Sequence, residues 1–265
     1  MISLVFLTVL VFLVAFSMTM VGKGGGNFYV AILTWAGIPM HQAATTGQFI
    51  LCAASVAAMA VFHRNKSLSW RLAATLGALM AISAFCGGYF AHLFSDFFLQ
   101  LFFAAMLVLA GALMLSPTKH STPKSPTHTF GILAFQAGGR TYSLNLLVVV
   151  PFTIMTGLAS GMVGVSGGSF LMPLMVLACG VPIQIAAGTA APLIAVSALM
   201  GFAGHALQGD FDPHFAVPLA MVTILGGLLG GKFALDTKPK GLKNLFAYTN
   251  WLAALMMIIS ALHTQ

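Results

Sequence analysis

Runs of about twenty apolar residues recur along the whole chain, at 2–22, 43–62, 72–91, 97–116, 142–163, 184–207, 215–235 and 245–263. They fix the solvent in which this chain can fold. A helix of about twenty apolar residues spans a hydrocarbon core of ~30 Å. The bilayer offers no partner for a bare N–H or C=O, so a spanning segment must satisfy its own backbone as a helix or a closed barrel. Runs of this length predict an all-α membrane protein. Charge agrees: only 6% of the residues are charged, against roughly 25% in a soluble domain. The acids are Asp96, Asp210, Asp212 and Asp236, and there is no glutamate. The net charge of +7 would raise the question of nucleic acid in a soluble protein. Here the basic residues sit mostly between apolar runs, where they set orientation in the membrane. No nucleic-acid partner is expected, and the lipid bilayer is the expected surroundings, a bacterial inner (plasma) membrane above all.

Residues 1–22 lack the basic flank of a signal peptide and read as a retained membrane segment. Cys52, Cys86 and Cys179 all lie in apolar stretches with no metal or disulfide spacing. No metal and no cofactor is expected from them. The stretch 118–140 is rich in Pro, Thr, Ser and Lys and reads as a polar cytoplasmic linker. It separates a first transmembrane repeat, 1–117, from a second, 141–265.

The two halves resemble each other at an offset near 143 residues. VGKGGGNF (21–28) aligns with VGVSGGSF (163–170), AGIPMHQAATTG (36–47) with CGVPIQIAAGTA (179–190), and GGYFA (87–91) with GGKFA (230–234). Internal duplication is a mark of secondary transporters. The charges indicate how the halves are oriented. Loop 63–71 carries Arg64, Lys66 and Arg71, whereas its counterpart 208–214 carries Asp210 and Asp212 and no base. Loop 92–96 has no base, whereas its counterpart 236–244 carries Lys238, Lys240 and Lys243. The bias changes sign between matching loops, so the positive-inside rule predicts inverted-topology repeats. With 63–71, the linker and 236–244 inside, the basic residues outside those three regions are Lys23 and Lys232. Inversion needs an odd number of crossings per half. Each repeat is therefore expected to hold three transmembrane helices plus a glycine-tipped helical hairpin that leaves on the side it entered. Both termini then lie outside.

The hairpins consist of 2–22 with the short arm 27–38, and 142–163 with the short arm 169–180. Arms of this length do not cross the bilayer, so their glycine turns are expected at membrane depth, entering from opposite faces. Asn27 and Ser169 are good N-cap types for the short helices. A helix N-terminus presents unpaired N–H groups and partial positive charge, and glycines let the backbone approach a ligand. Two such ends facing one pocket make an anion site. The expected substrate-binding residues are Lys23, Gly24, Gly25, Gly26 and Asn27 from the first turn, and Ser166, Gly167, Gly168 and Ser169 from the second. Thr46, Gln48 and Thr189, at the starts of the following helices, are added as lining. An ordinary cytoplasmic turn is the plainer account of Lys23, and close helix packing that of the glycines. His205 can change charge near neutral pH and is the candidate proton-coupling group.

The segment 157–212 resembles the TauE/SafE sulfite-exporter family of membrane transporters. Gly161, Gly164, Gly167, Gly168, Pro173, Gly180, Pro182, Ala186, Gly188, Thr189, His205, Gly209 and Asp212 match the family pattern. Ser166 replaces one glycine of its triplet. In the first half Lys23 stands where an aliphatic residue is expected, and Ala31 where a proline is. The resemblance implies transport of a small anion such as sulfite or an organosulfonate. Together these features predict a secondary active transporter working by alternating access around a midplane site. A passive anion channel is the alternative, since paired half-helices also build pores. Enzyme chemistry is not expected: the chain has no H-E-x-x-H and no paired midplane acids. Homo-oligomerisation is left open by the sequence.

Overall fold

The computed structural model describes residues 4–115, 132–137, 140–178, 180–209 and 211–263. The first half folds as α1 (Leu4–Met20), α2 (Gly26–Trp35), α3 (Met40–Arg64), α4 (Trp70–Phe90) and α5 (Asp96–Leu115). The second folds as α6 (Leu146–Val163), α7 (Gly168–Pro173), α8 (Ile183–Ala206), α9 (Pro213–Asp236) and α10 (Pro239–His263). Residues Leu174–Ala178 extend α7 as a π-helical turn. The short arms are thus Gly26–Trp35 and about 168–178, close to the ranges expected from the sequence. Between the halves, β1 (Ile132–Ala137) and β2 (Arg140–Asn145) pair antiparallel. The sequence reading placed this hairpin partly in the linker and partly at the head of the run 142–163. The polar residues of RTYSLN delay the helix, and Asn145 opens α6 by accepting a 3.1 Å bond from the Leu147 N–H. Most of the linker itself, with Lys119 and Lys124, lies outside the described residues, as do Asp210 and Cys179.

Met40–Arg64, Trp70–Leu93, Leu146–Val163, Ile183–Ala206, Pro213–Asp236 and Pro239–Ile259 are long and apolar enough to cross a membrane. Val5–Met20, Gln100–Leu115 and Gly168–Leu177 are apolar but shorter. Large apolar side chains cover the outside: Val5 is 72% exposed, Ile82 67% and Met221 63%. Leaving apolar surface in water costs about 25 cal/mol per Å², whereas lipid tails accept it freely. The molecule is an all-α integral membrane protein.

Each half packs against the other by exchange of partners. Helix α4 lies against α6 and α8, as α9 lies against α1 and α3; α5 packs on α7 and α10, as α10 packs on α2 and α5. The exchange holds at the level of single residues. A Cβ on Gly22 would lie 2.6 Å from the Ala187 Cα, and one on Gly164 would lie 2.5 Å from the Ala44 Cα. Gly87 abuts the carbonyl of Leu158, and Gly230 that of Phe16. Small residues at these crossings let the helix backbones approach closely, the usual basis of association within lipid. The central pair, α3 and α8, runs antiparallel: Gln48 lies beside Gly201, and Phe62 beside Gly188.

Candidate functional site

The two glycine loops are buried, and they touch. Every residue from Val21 to Leu33 and from Val163 to Val176 is buried. A Cβ on Gly26 would lie 2.7 Å from the Ser166 nitrogen, and one on Gly168 would lie 2.8 Å from the Gly22 carbonyl oxygen. The Asn27 amide nitrogen donates to the Ser169 hydroxyl at 2.8 Å. The loops also sit at mid-length of the central pair. Gly24 and Gly26 abut Leu51, near the middle of α3, while Gly24 and Gly168 abut Ile194, near the middle of α8.

Local chemistry explains the turns. Gly24 (φ 69°) and Gly25 (φ 99°) take left-handed conformations that residues with a Cβ rarely adopt. This lets the chain reverse and begin α2 at Gly26, with Gly25 as its N-cap. In the second loop Gly167 is the N-cap of α7. The expectation that Asn27 and Ser169 cap these helices is corrected: both lie inside the first turn, and their side chains bond each other across the loops. Neither N-cap residue, Gly25 or Gly167, makes a side-chain capping bond. The Ser166 hydroxyl instead accepts from the Gly168 N–H at 3.2 Å. Ser160, one turn before the second loop, donates its hydroxyl to the Val165 carbonyl at 2.7 Å.

Lys23 is 1% exposed. Its ammonium turns toward α10, donating to the Thr249 hydroxyl at 3.1 Å and lying 4.9 Å from the centre of the Phe246 ring. Among the described residues no carboxylate pairs with it. The lining residues divide. Gln48 bridges to the second hairpin by donating to the Ser160 carbonyl at 2.9 Å, leaving its Oε1 without a partner. Thr46 is fully buried with an unpartnered hydroxyl. Thr189 does not join the loops: its hydroxyl accepts from the Ser69 N–H at 3.1 Å, at the start of α4. His205 is 2% exposed, and its Nε2 lies 2.8 Å from the Gly161 carbonyl oxygen, one turn before the second loop breaks.

Several polar groups near the first loop escaped the sequence reading. The Ser55 hydroxyl lies 2.8 Å from where a Gly24 Cβ would sit, and the Tyr29 hydroxyl 2.7 Å from that of Gly25. Both hydroxyls are buried and unpartnered, as are the Asn27 Oδ1 and both amide atoms of Asn250. The available signal was the polar pair Thr249–Asn250 inside the apolar run 245–263. What the loops offer chemically is a cation, two helix starts and spare hydroxyls, all withdrawn from bulk water. Such a set favours negative charge.

Residues 7–257 match the family model described as Sulfite exporter TauE/SafE. The chain is 23% identical over 239 residues to the "Probable membrane transporter protein YunE" of Bacillus subtilis (strain 168), covering 86% of this chain and 87% of that one. It is 24% identical over 249 residues to the "Probable membrane transporter protein YdhB" of the same organism, covering 93% and 97%. It is 21% identical over 263 residues to the "Probable membrane transporter protein MJ0441" of Methanocaldococcus jannaschii, covering 94% and 92%. No solved structure matches the chain.

Proposed function

Because the chain belongs to the sulfite exporter TauE/SafE family, we propose that this membrane transporter carries a small anion, sulfite or an organosulfonate being the leading candidates, by alternating access around the two crossing loops. The observation that carries this reading is the 2.8 Å bond from Asn27 to Ser169. It joins equivalent positions of the two halves at the mid-length of α3 and α8, where a solute reached from either face would be held.

Two further observations support it. The matching helices α3 and α8 run antiparallel, and the halves exchange packing partners, as inverted repeats require. A rocking of one half against the other would then open the loops to each face in turn. An ammonium at membrane depth costs about 2.5–3.5 kcal/mol on insertion scales, and no carboxylate among the described residues offsets it. A bound anion would. The substrate-binding set is Lys23, Gly24, Gly25, Gly26, Asn27, Ser166, Gly167, Gly168 and Ser169, with Thr46 and Gln48 alongside; Thr189 supports them from outside the loops. His205, against the segment that precedes the second loop, is the proton-coupling group. The work done is transport rather than catalysis, in a bacterial inner membrane.

The test is uptake of radiolabelled sulfite and of a short alkanesulfonate into proteoliposomes under an imposed pH gradient. Saturable, uphill accumulation is expected. Conductance without accumulation would replace the transporter by a passive anion channel.

A further inference from the structure

The polar groups are not shared evenly between the surroundings of the two loops. Lys23 corresponds to Val165, and Tyr29 to Leu171, at the repeat offset of the loops; Ser55 corresponds to Ala198. On the last helices, Thr249 corresponds to Met106 and Asn250 to Leu107, while Phe246 keeps its counterpart, Phe103. Around the second loop, Phe103 of α5 meets Phe170 of α7 with ring centres 5.6 Å apart. Around the first loop, Phe246 of α10, the counterpart of Phe103, carries the Lys23 ammonium 4.9 Å from its ring centre, and Thr249 accepts from that ammonium.

Phe246, Thr249 and Asn250 are spaced i, i+3, i+4 and share one face of α10. Lys23 touches the first two. Asn250, fully buried, has no partner for either amide atom. A buried amide left unpaired costs about 1–3 kcal/mol, and polar groups within a bilayer mark solute pathways. The Thr249 hydroxyl donates back to the Leu245 carbonyl at 2.7 Å, so it holds the ammonium by accepting from it. Among the described residues its recorded partners are the Thr249 hydroxyl and the Phe246 ring face, which leaves it N–H directions to spare.

We propose that Lys23, Thr249 and Asn250 form a one-sided oxyanion subsite between the first loop and α10, and that this subsite selects the substrate. It rests on the anion-transport reading above and adds to it which of the two loops does the recognising. The ammonium supplies the charge and the Asn250 Nδ2 a second convergent donor, while Thr249 positions the ammonium. A small ligand with at least two acceptor oxygens fits: a sulfur or phosphorus oxyanion, a sulfonate or a carboxylate. At the places matching Lys23 and Tyr29 the second loop carries Val165 and Leu171, so there it contributes packing rather than charge.

The test uses the purified full-length protein in detergent, with sulfite, methanesulfonate, phosphate and acetate as probes, read by ligand-induced thermal stabilisation and by calorimetric affinity. Wild type is expected to respond to at least one probe. Asn250→Leu, which installs the residue of the matching position, Leu107 on α5, should weaken that binding about tenfold, and Thr249→Met should alter the ranking of the four anions. If the subsite is as proposed, Asn250→Asp sets an internal carboxylate beside the ammonium. It should raise the midpoint without ligand and abolish the anion response, a pair of effects that misfolding cannot produce. Wild-type affinity and ranking in all three variants, with Ser169→Ala still weakening binding, would overturn the subsite and leave the transport reading standing. No response of wild type to any of the four probes would overturn both.

Discussion

The amide of Asn27 donates to the hydroxyl of Ser169 over 2.8 Å, across 142 residues of sequence. Those two residues are the same position in the two repeats. The halves therefore grip each other through equivalent side chains at the crossing point of the loops. Removing either partner orphans the other in a dry interior. Asn27→Leu and Ser169→Ala should each lower stability by about 1–3 kcal/mol. The double variant should cost less than the sum, because the second change removes the group the first left unpaired. Denaturant titration in detergent measures the cycle, and strict additivity would mean that the bond carries no coupling.

Close approach of the loops depends on missing side chains. A Cβ on Gly168 would lie 2.8 Å from the Gly22 carbonyl oxygen, a backbone atom with no rotamer to move. Gly168→Ala should part the loops and remove most transport while protein still reaches the membrane. Gly77→Ala is the contrast: the nearest atom is 3.7 Å away, on the flexible Leu193 side chain. Lying inside a helix, it should be neutral or stabilise by up to about 1 kcal/mol. Equal flux loss in both variants would dissociate the loops from function.

Lys23→Met should separate stability from function. The ammonium is buried, and among the described residues its partners are a hydroxyl and a ring face. An apolar side chain of similar volume avoids that desolvation, and such replacements of buried ions are often neutral or stabilising. Thr249 is left bonded to its own helix carbonyls and so is not orphaned. The expected result is an unchanged or higher melting midpoint together with lost anion uptake. Retained uptake at wild-type affinity would take Lys23 out of the site.

Inverted repeats put the turn after α3 and the turn after α8 on opposite faces of the membrane. In a background free of native cysteines, Asn65→Cys and Gln208→Cys, both at exposed positions, should react with an impermeant maleimide from opposite sides. Labelling of both from one side would sink the inverted arrangement.

His205 meets the Gly161 carbonyl through its Nε2. His205→Gln retains a hydrogen-bond donor and loses the titrating ring. It should abolish uptake driven by a pH gradient while anion exchange at equal pH persists. If gradient-driven uptake survives, proton coupling lies elsewhere.

Much of this molecule is written along the chain, and the reason is that the relevant physics is local. Whether a segment spans the bilayer depends on its own length and polarity, so α3, α4, α8 and α9 are legible at once. The duplication and the glycine breaks are legible too, because Gly24, Gly25 and their counterparts are backbone requirements of a turn. Side-chain direction is another matter, since it is decided by what packs opposite. Nothing local to Lys23 says that its ammonium turns to Thr249, 226 residues away. Nothing local to Thr189 assigns it to the Ser69 N–H rather than to the loops. Asn27 looks like a cap by type, yet Gly25 starts the helix early and frees its amide for Ser169. Apolar run length and scarce charge determined a membrane protein, and the repeated motifs marked two similar stretches of chain; only the tertiary structure decided which side chains those stretches share, because contacts between residues more than a hundred positions apart exist solely in the packed state.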